Sequence, residues 1–174
     1  HFRELFTRYE ANPILQAKDI PYQANSVFNA AATRVGDDTL LLMRVEDRRG
    51  ISHLTAARSK NGITDWRIDP TPTLAPNPAD HPEEIWGIED PRVTRIEALD
   101  MWAVVYTAYS KGGPLVSLTT TRDFKTFERK GAVMPPEDKD AALFPVQLKG
   151  RWAMLHRPVS GFAGIGAHIW ISFS

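Results

Sequence analysis

Three sets of short β-strand segments follow one another along the chain, and this repetition restricts the fold more than any other feature. LTAAR at 54–58 matches LTTTR at 118–122, and IWISFS begins a similar pattern at Ile169. Apolar and β-branched runs of strand length alternate with turn sequences such as GDD, DRRG and SKGGP. Sets that repeat in this way are typical of propeller blades, in which each small antiparallel sheet packs on its neighbours. A β-sandwich with accidental internal similarity is the alternative.

The repeats predict an all-β fold in which residues 1–174 form a single β-propeller domain. A chain of 174 residues with 43% hydrophobic residues is long enough to bury one core. In the third set we predict strands at ALFPVQL, RWAMLHRPV and AHIWISFS. Because propellers have at least about four blades, three sets also predict that the domain is incomplete at its C-terminus. Open sheet edges need further sequence or another copy of the chain to cover them, so a homo-oligomer is one expectation.

The composition excludes several classes of partner. Lys plus Arg and Asp plus Glu each number 21, so the net charge is zero and no overall field favours nucleic acid or an anionic membrane. The absence of cysteine excludes thiolate metal sites and fits a reducing compartment, so we expect a cytoplasmic protein. No apolar run approaches the roughly 20 residues that span a bilayer, so we expect no membrane partner. His53, His156 and His168 stand apart in the sequence, and we expect no metal site.

Polar and charged residues stand where the predicted strands begin or end at the central channel. In a propeller such positions converge from every blade on one rim of that channel. We therefore expect one funnel that combines a carboxylate with amides and a cluster of basic side chains. Its predicted members are Asn25, Asn29, Arg44, Asp90, Lys139, His156 and Arg157.

Each of these residues also has an ordinary structural interpretation. The stretch WGIEDPRVT places Glu89 and Asp90 directly before a proline, and an aspartate in that position often opens a turn. Arg44 and Arg157 could be partners in surface ion pairs, which are common and weak. Lys139 could be a solvated loop charge. The residues alone leave both interpretations open.

Seven longer motifs, taken in order, resemble glycoside hydrolase family 130, the β-mannoside phosphorylases. The resemblance covers nearly the whole chain and rests on ANPIL, ANSVFNAA, LLMRVEDRRGISHLTAARSKNGITDW, EIWGIEDPRVT, YTAYSKGGPLVSL, MPPEDKDAALFP and RWAMLHRP. Members of that family are five-bladed propellers, so the resemblance implies that this chain supplies roughly the first three blades of a catalytic domain. It also implies that Asp90, the aspartate of EDPR, is the proton donor, whereas Glu89 supports or orients the site.

The resemblance implies direct attack of phosphate on the anomeric carbon of a β-1,4-linked mannosyl unit. The products are then α-mannose 1-phosphate and a shortened acceptor, and the proton reaches the glycosidic oxygen through the mannosyl 3-hydroxyl. Inorganic phosphate is a co-substrate in this reaction, and no cofactor is expected. Because phosphate is itself an anionic nucleophile, no base is needed to activate water, but arginine and lysine donors must hold it. RVEDRRG is closest to the subfamily that acts on mannosyl-glucosamine or manno-oligosaccharide linkages.

On this basis we assign phosphate binding to Arg44, Lys139, Arg157 and His156. We assign sugar binding to Asn25, Asn29, Asp47, Trp86 and Tyr109, although Trp86 could instead pack between blades. Two rival functions remain. A β-mannoside hydrolase on the same propeller would need a second carboxylate as the base, for which Asp47 is the nearest candidate. A non-catalytic carbohydrate-binding propeller would have no use for basic residues around a carboxylate.

Overall fold

The computed structural model describes residues 5–159 and 168–174, whose strands form three antiparallel sheets in succession along the chain. The first sheet contains β1 (Ser26–Val35), β2 (Asp38–Glu46), β3 (Ser52–Ser59) and β4 (Arg67–Ile68). The second contains β5 (Ile88–Ile96), β6 (Met101–Ser110), β7 (Gly113–Thr121) and β8 (Glu128–Met134). The third contains β9 (Asp138–Leu143), β10 (Ala153–Pro158) and β11 (Trp170–Phe173). Three short 3-10 helices lie in the connections, at Ala17–Asp19, Pro82–Glu84 and Glu97–Leu99.

Each sheet is a meander in which the strands lie side by side in chain order, as in a propeller blade. The predicted all-β fold is therefore confirmed, and the sheets are called blades 1, 2 and 3 below. In the third blade the predicted strand ALFPVQL is wrong in its bounds, because β9 begins at Asp138 and ends before Phe144. Pro145 follows, and proline cannot donate a hydrogen bond to a neighbouring strand. Within the part of the chain that the structure describes, no helix is long and apolar enough to cross a membrane.

The structural repeat has a different register from the sequence match. Arg44 pairs with Leu54 in blade 1, and Thr107 pairs with Val116 in blade 2. Arg44 and Thr107 each lie on the second strand of their blade. Each pairs with the last residue of the first strand before the pairing of the two strands becomes irregular. Leu54 is therefore level with Val116, and the predicted alignment of LTAAR with LTTTR is wrong by two residues. A shift of two residues leaves every side chain on the same face of the sheet, so the similarity survives the shift.

Both faces of blade 2 are buried, because a neighbouring blade packs on each of them. Val104 of β6 belongs to the apolar cluster shared with blade 1, which includes Leu42. The next residue, Val105, points to the other face and joins the cluster shared with blade 3, which includes Met154. A strand that is buried on both faces does not alternate between apolar and polar residues. In agreement, every residue from 102 to 108 is buried.

The first strand of each blade contains one residue in the left-handed backbone conformation. These residues are Asn29, Asp90 and Asp140, with φ angles of 47°, 48° and 56°. The pairing with the second strand shifts register at the same point in all three blades. Asparagine and aspartate tolerate this conformation better than most residues that carry a side chain. A bulge re-aims the side chain of its residues, so each blade presents one amide or carboxylate at the equivalent point.

The backbones of blades 1 and 2 meet at Ser52 and Gly87, which form an isolated parallel bridge. Gly87 has a φ angle of 114°, and a Cβ atom there would lie 2.8 Å from the nitrogen and 2.9 Å from the oxygen of Ser52. A side chain at this position would therefore collide with backbone atoms, which cannot turn aside. Because Gly87 directly precedes β5, the contact fixes where the first strand of blade 2 begins relative to blade 1.

We expect Gly87→Ala to lower the free energy of unfolding by about 2 kcal/mol or more, because it adds both a steric clash and an unfavourable φ angle. Gly112→Ala is the matched control, since a Cβ atom there would meet only Ser110 Oγ, at 3.7 Å. The control should change the free energy by less than about 0.5 kcal/mol. Denaturant-induced unfolding of both variants measures the difference, and equal stability of the two would contradict the close backbone contact.

Candidate active site

Asp90 is held by one oxygen of its carboxylate at the boundary between blades 1 and 2. Its Oδ1 accepts hydrogen bonds from Asn29 Nδ2 at 2.9 Å and from Arg44 Nη1 at 3.0 Å. Oδ2 accepts no hydrogen bond from residues 5–159 or 168–174. The side chain is 13% exposed, so it is accessible to a ligand without being fully solvated. One carboxylate oxygen is thus positioned, while the other is available to a reacting group.

Arg44 of β2 joins blade 1 to both carboxylates of blade 2. Its Nε donates to Ser52 Oγ at 2.8 Å, and its Nη2 donates to Glu89 Oε1 at 2.9 Å. The guanidinium carbon lies 4.5 Å from the centre of the Phe28 ring, which covers one face of the group. Arginine has five N–H donors, and three take part in the hydrogen bonds to Ser52, Glu89 and Asp90. Two donors are left for an anionic ligand.

Glu89 is half-buried, and burial is the main reason that its pKa is raised above the usual value for a glutamate. The negative charges of Asp90 and Glu46 raise the pKa further. The positive charges of Arg44 and Lys139 act in the opposite direction and moderate the shift. Lys139 belongs to β9, so a basic residue of blade 3 also acts electrostatically on the acids of blade 2.

Blade 3 contributes a second pair of a carboxylate and a guanidinium. Arg157 Nε donates to Asp140 Oδ2 at 3.0 Å, and Nη2 contacts the same oxygen. Arg157 lies opposite Lys139 in the pairing of β9 with β10. Arg44 has the same place in blade 1, opposite the residue before the bulge. The two predicted arginine ligands therefore occupy equivalent positions in their blades, and their assignment to phosphate stays a prediction.

His156 does not join these basic residues. Its Nδ1 lies 2.5 Å from Asp138 Oδ2 and its Nε2 lies 2.8 Å from Ser172 Oγ, so both ring nitrogens are engaged. The residue is 6% exposed. Because successive side chains of a strand point to opposite faces, His156 and Arg157 are directed away from each other. The structure thus gives His156 cross-strand contacts and does not direct it toward Arg157, and its assignment to phosphate stays a prediction.

Asp47 is a turn residue. Its Oδ1 accepts hydrogen bonds from the backbone N–H groups of Arg49 and Ile51, at 2.8 and 3.1 Å, and its Oδ2 accepts two from the Arg49 side chain. Burial alone would raise the pKa of Asp47, but the hydrogen bonds from Arg49 and Ile51 outweigh it and hold the pKa below the usual value. These contacts hold the carboxylate in the turn and weaken Asp47 as a base for a hydrolase, and its assignment to sugar stays a prediction.

Asn25 makes its hydrogen bonds at the end of β2 and none to Asp90 or Asn29 among the described residues. Its Nδ2 donates to Glu46 Oε1 at 3.2 Å and to Ser26 Oγ at 3.0 Å, and its backbone N–H donates to the Glu46 carbonyl. These bonds close the end of the β1–β2 pair. The structure therefore does not bring Asn25 together with Asn29, and its assignment to sugar stays a prediction.

Trp86, two residues before β5, and Tyr109, near the end of β6, form an exposed aromatic pair. Their rings meet edge to face, with centroids 5.5 Å apart, and 42% and 39% of the two residues are exposed. The Trp86 N–H donates to the Tyr109 carbonyl at 2.9 Å, and the Tyr109 N–H donates to the Gly87 carbonyl at 3.1 Å. The pair is therefore fixed by its backbone while its rings stay accessible, as a surface that stacks on a sugar requires.

Sequence reasoning missed three residues that shape the site. Phe28 lies under the Arg44 guanidinium, Ser52 fixes its Nε, and Asp140 pairs with Arg157. Asp140 could have been found by comparing DKDAA with EDPR, since the second acid of each is the left-handed residue of its blade. Phe28 and Ser52 give no such signal, because an apolar residue and a serine in strands are ordinary.

A family model described as beta-1,4-mannooligosaccharide phosphorylase matches residues 5–174. The chain is 37% identical to a β-1,2-mannobiose phosphorylase of Listeria innocua, over 71% of this chain and 33% of that protein. It is 32% identical to a β-1,4-mannooligosaccharide phosphorylase of Ruminococcus albus, over 90% of this chain and 47% of that protein. The chain therefore spans less than half the length of these two relatives.

The Listeria innocua β-1,2-mannobiose phosphorylase, solved in complex with β-1,2-mannobiose, superposes on this chain with a TM-score of 0.82 at 27% identity. The match covers 96% of this chain and 62% of that structure. Structures of this kind are five-bladed propellers, and the three blades described above correspond to part of such a ring.

Arg44→Lys keeps the positive charge but replaces the planar donor group by a single ammonium, which cannot bond to Ser52, Glu89 and Asp90 together. We expect it to lower the free energy of unfolding by about 1 to 2 kcal/mol. Arg49→Lys is the matched control, because Arg49 is 79% exposed and pairs with Asp47 at the surface. It should change the free energy by less than about 0.5 kcal/mol. A denaturant titration of both variants is the measurement. An unchanged free energy of unfolding in Arg44→Lys would show that the contact of Arg44 with Ser52, Glu89 and Asp90 does not stabilise the blade interface.

Proposed function

The chain belongs to glycoside hydrolase family 130, and from that premise we propose that the protein is an inverting mannoside phosphorylase. Phosphate attacks the anomeric carbon of a β-mannoside, and α-mannose 1-phosphate is released together with the acceptor sugar. The observation that carries the proposal is the setting of Asp90, which has one positioned and one available oxygen next to basic side chains. A single acid among basic residues suits a reaction whose nucleophile is already an anion.

In this proposal Asp90 is the proton donor and Oδ2 is the atom that carries the proton. Asn29 and Arg44 donate to Oδ1 and so fix the direction of the O–H bond. Oδ2 gives its proton to the mannosyl 3-hydroxyl, whose own proton passes to the glycosidic oxygen. The bond from the anomeric carbon to that oxygen breaks as the bond to phosphate forms on the opposite face of the ring. Attack from the opposite face inverts the configuration, from β-mannoside to α-mannose 1-phosphate.

Arg44, Lys139 and Arg157 are the proposed phosphate ligands. Arg44 has two donors that are not used by Ser52, Glu89 and Asp90. Lys139 acts on Glu89 from the neighbouring blade, which puts its charge close to the same acids. Arg157 is held by Asp140 and has further N–H groups for an anion. Charge-assisted hydrogen bonds of this kind are the strong ones and hold an anion for attack in line.

For the sugar we propose Asn29, Trp86 and Tyr109 as contacts. The exposed edge-to-face pair of Trp86 and Tyr109 offers apolar ring surface next to the strand that carries Asp90. We propose a β-1,4 linkage, which is supported by the description of the matching family model. The names of the relatives include both β-1,2 and β-1,4 linkages, so the linkage must be decided by assay.

The function is tested by incubating the intact protein with β-1,4-mannobiose and, in parallel, with β-1,2-mannobiose, each with and without inorganic phosphate. We expect α-mannose 1-phosphate only when phosphate is present, and faster from the β-1,4 substrate. Mannose released without phosphate would identify a hydrolase instead. No turnover of either substrate would favour a binding propeller, and faster release from the β-1,2 substrate would correct the linkage alone.

Asp90→Asn should lower kcat for phosphorolysis by about 100-fold to 10,000-fold, because an amide cannot donate the required proton. The shape of the side chain is nearly unchanged, so the thermal unfolding temperature should stay close to that of the wild type. Asp47→Asn serves as the control, since the Asp47 carboxylate is held within a turn, and its kcat should remain within about threefold. Nearly normal activity of Asp90→Asn would remove Asp90 from the reaction, and a large loss in Asp47→Asn would restore it as a base.

A further inference from the structure

Glu89 is a second carboxylate beside Asp90 that the proposed reaction does not use. Its Oε1 accepts a hydrogen bond from Arg44 Nη2 at 2.9 Å, and its side chain is 21% exposed. Within residues 5–159 and 168–174, no donor is hydrogen-bonded to Oε2. Glu89 therefore engages a donor of Arg44, one of the proposed phosphate ligands, and lies within the electrostatic influence of another, Lys139.

The charges around Glu89 are not balanced. Arg44 and Glu46 face it from β2, Asp90 follows it in β5, and Lys139 faces it from β9. When all of these groups are ionised, three carboxylates including Glu89 stand against two basic side chains. A phosphate dianion that binds beside Arg44 and Lys139 adds two more negative charges to a site that already has one in excess. Such an anion binds well only when negative charge is removed elsewhere in the cluster.

We propose that Glu89 takes up a proton from solvent when an anion enters the site, and so adds the Arg44 Nη2 donor that it holds to the two Arg44 donors that are already available to the anion. This inference rests on the phosphate site proposed above. Arg44 Nε stays bonded to Ser52 Oγ, and the guanidinium keeps its place over Phe28 while one of its partners is exchanged. Glu89 acts through Arg44 and is therefore a positioning residue for the anion.

Glu89 can take up the proton on Oε2, the oxygen to which no donor of the described residues is hydrogen-bonded. Burial already raises the pKa of Glu89, and a bound anion raises it further. By linkage, a group that gains a proton on binding makes binding tighter at low pH. Anion affinity should then rise as the pH falls through the range above the usual pKa of glutamate.

Sulfate is the probe for this inference, because it stays a dianion throughout the pH range of interest while phosphate itself titrates. Its Kd is measured by calorimetry from about pH 5 to about pH 8, on the intact protein and on Glu89→Gln. The affinity of the wild type should rise more steeply as the pH falls, by up to about tenfold per pH unit relative to Glu89→Gln. Titrations in two buffers of different ionisation enthalpy should show up to about one more proton taken up by the wild type.

Glu46→Gln is the matched control. Glu46 also lies near Arg44, at 4.0 Å, but it does not hold the donor that Glu89 releases, so this variant should still take up a proton with sulfate, over a pH range moved downward because one negative charge near Glu89 is gone. Thermal unfolding checks that both variants fold. Infrared difference spectra of the wild type need no variant, and sulfate should convert a carboxylate band into the band of a protonated carboxyl group.

Two results would overturn the inference. Equal pH dependence of sulfate binding in the wild type and in Glu89→Gln would show that Glu89 does not take the proton, and the phosphate site itself would stand. No sulfate and no phosphate binding at any pH would remove the anion site, and with it the proposed phosphorylase function.

Discussion

The hydrogen bonds and ion pairs of the partly buried Arg44 guanidinium are the interaction on which the blade interface and the site both depend. Removing an arginine from water is unfavourable unless its donors are hydrogen-bonded. Ser52 comes from the blade of Arg44, and Glu89 and Asp90 come from the next blade. The two acids reach the guanidinium because the Ser52–Gly87 backbone contact starts β5 at the right place. Packing of the blades therefore also assembles the acid and its donors.

The sequence predicts much of the fold because the strands and turns of a blade are determined by residues that are close together in the chain. Strand-length apolar runs and turn residues are set by neighbours in the chain, so the three sheets and the all-β class could be read before the structure. The bounds of β9 and the correct alignment of the repeat could not be predicted from the sequence, since the register of the strands depends on bulges at Asn29, Asp90 and Asp140. Pairing between strands fixes those bulges, and a residue pattern along one strand does not contain that pairing.

The candidate site also contains some residues whose surroundings could be predicted from the sequence and others whose surroundings could not. Asn29, Arg44 and Asp90 were predicted from their places at strand ends, and the structure brings both Asn29 and Arg44 within hydrogen-bond distance of Asp90. His156 stands next to Arg157 in the sequence, but alternation along β10 turns it into the blade, where Asp138 holds it. Asp47 is one residue beyond the end of β2, and there its carboxylate accepts hydrogen bonds from the backbone N–H groups of the turn. Two residues that are close together in the sequence therefore need not share a site, because successive side chains of a strand point to opposite faces and a turn redirects the residues that follow a strand.

The burial of blade 2 on both faces limits where such a protein can change. Val104 and Val105 are adjacent and each supports a different neighbour, so a substitution in the middle of β6 disturbs the packing of one blade or the other. Turns and strand ends carry no such double constraint, and they are also the places that supply the rim of the channel. Diversification of substrate preference can then proceed there while the stacked sheets are preserved. This separation offers a physical reason why relatives named for β-1,2 and for β-1,4 linkages both align with this chain.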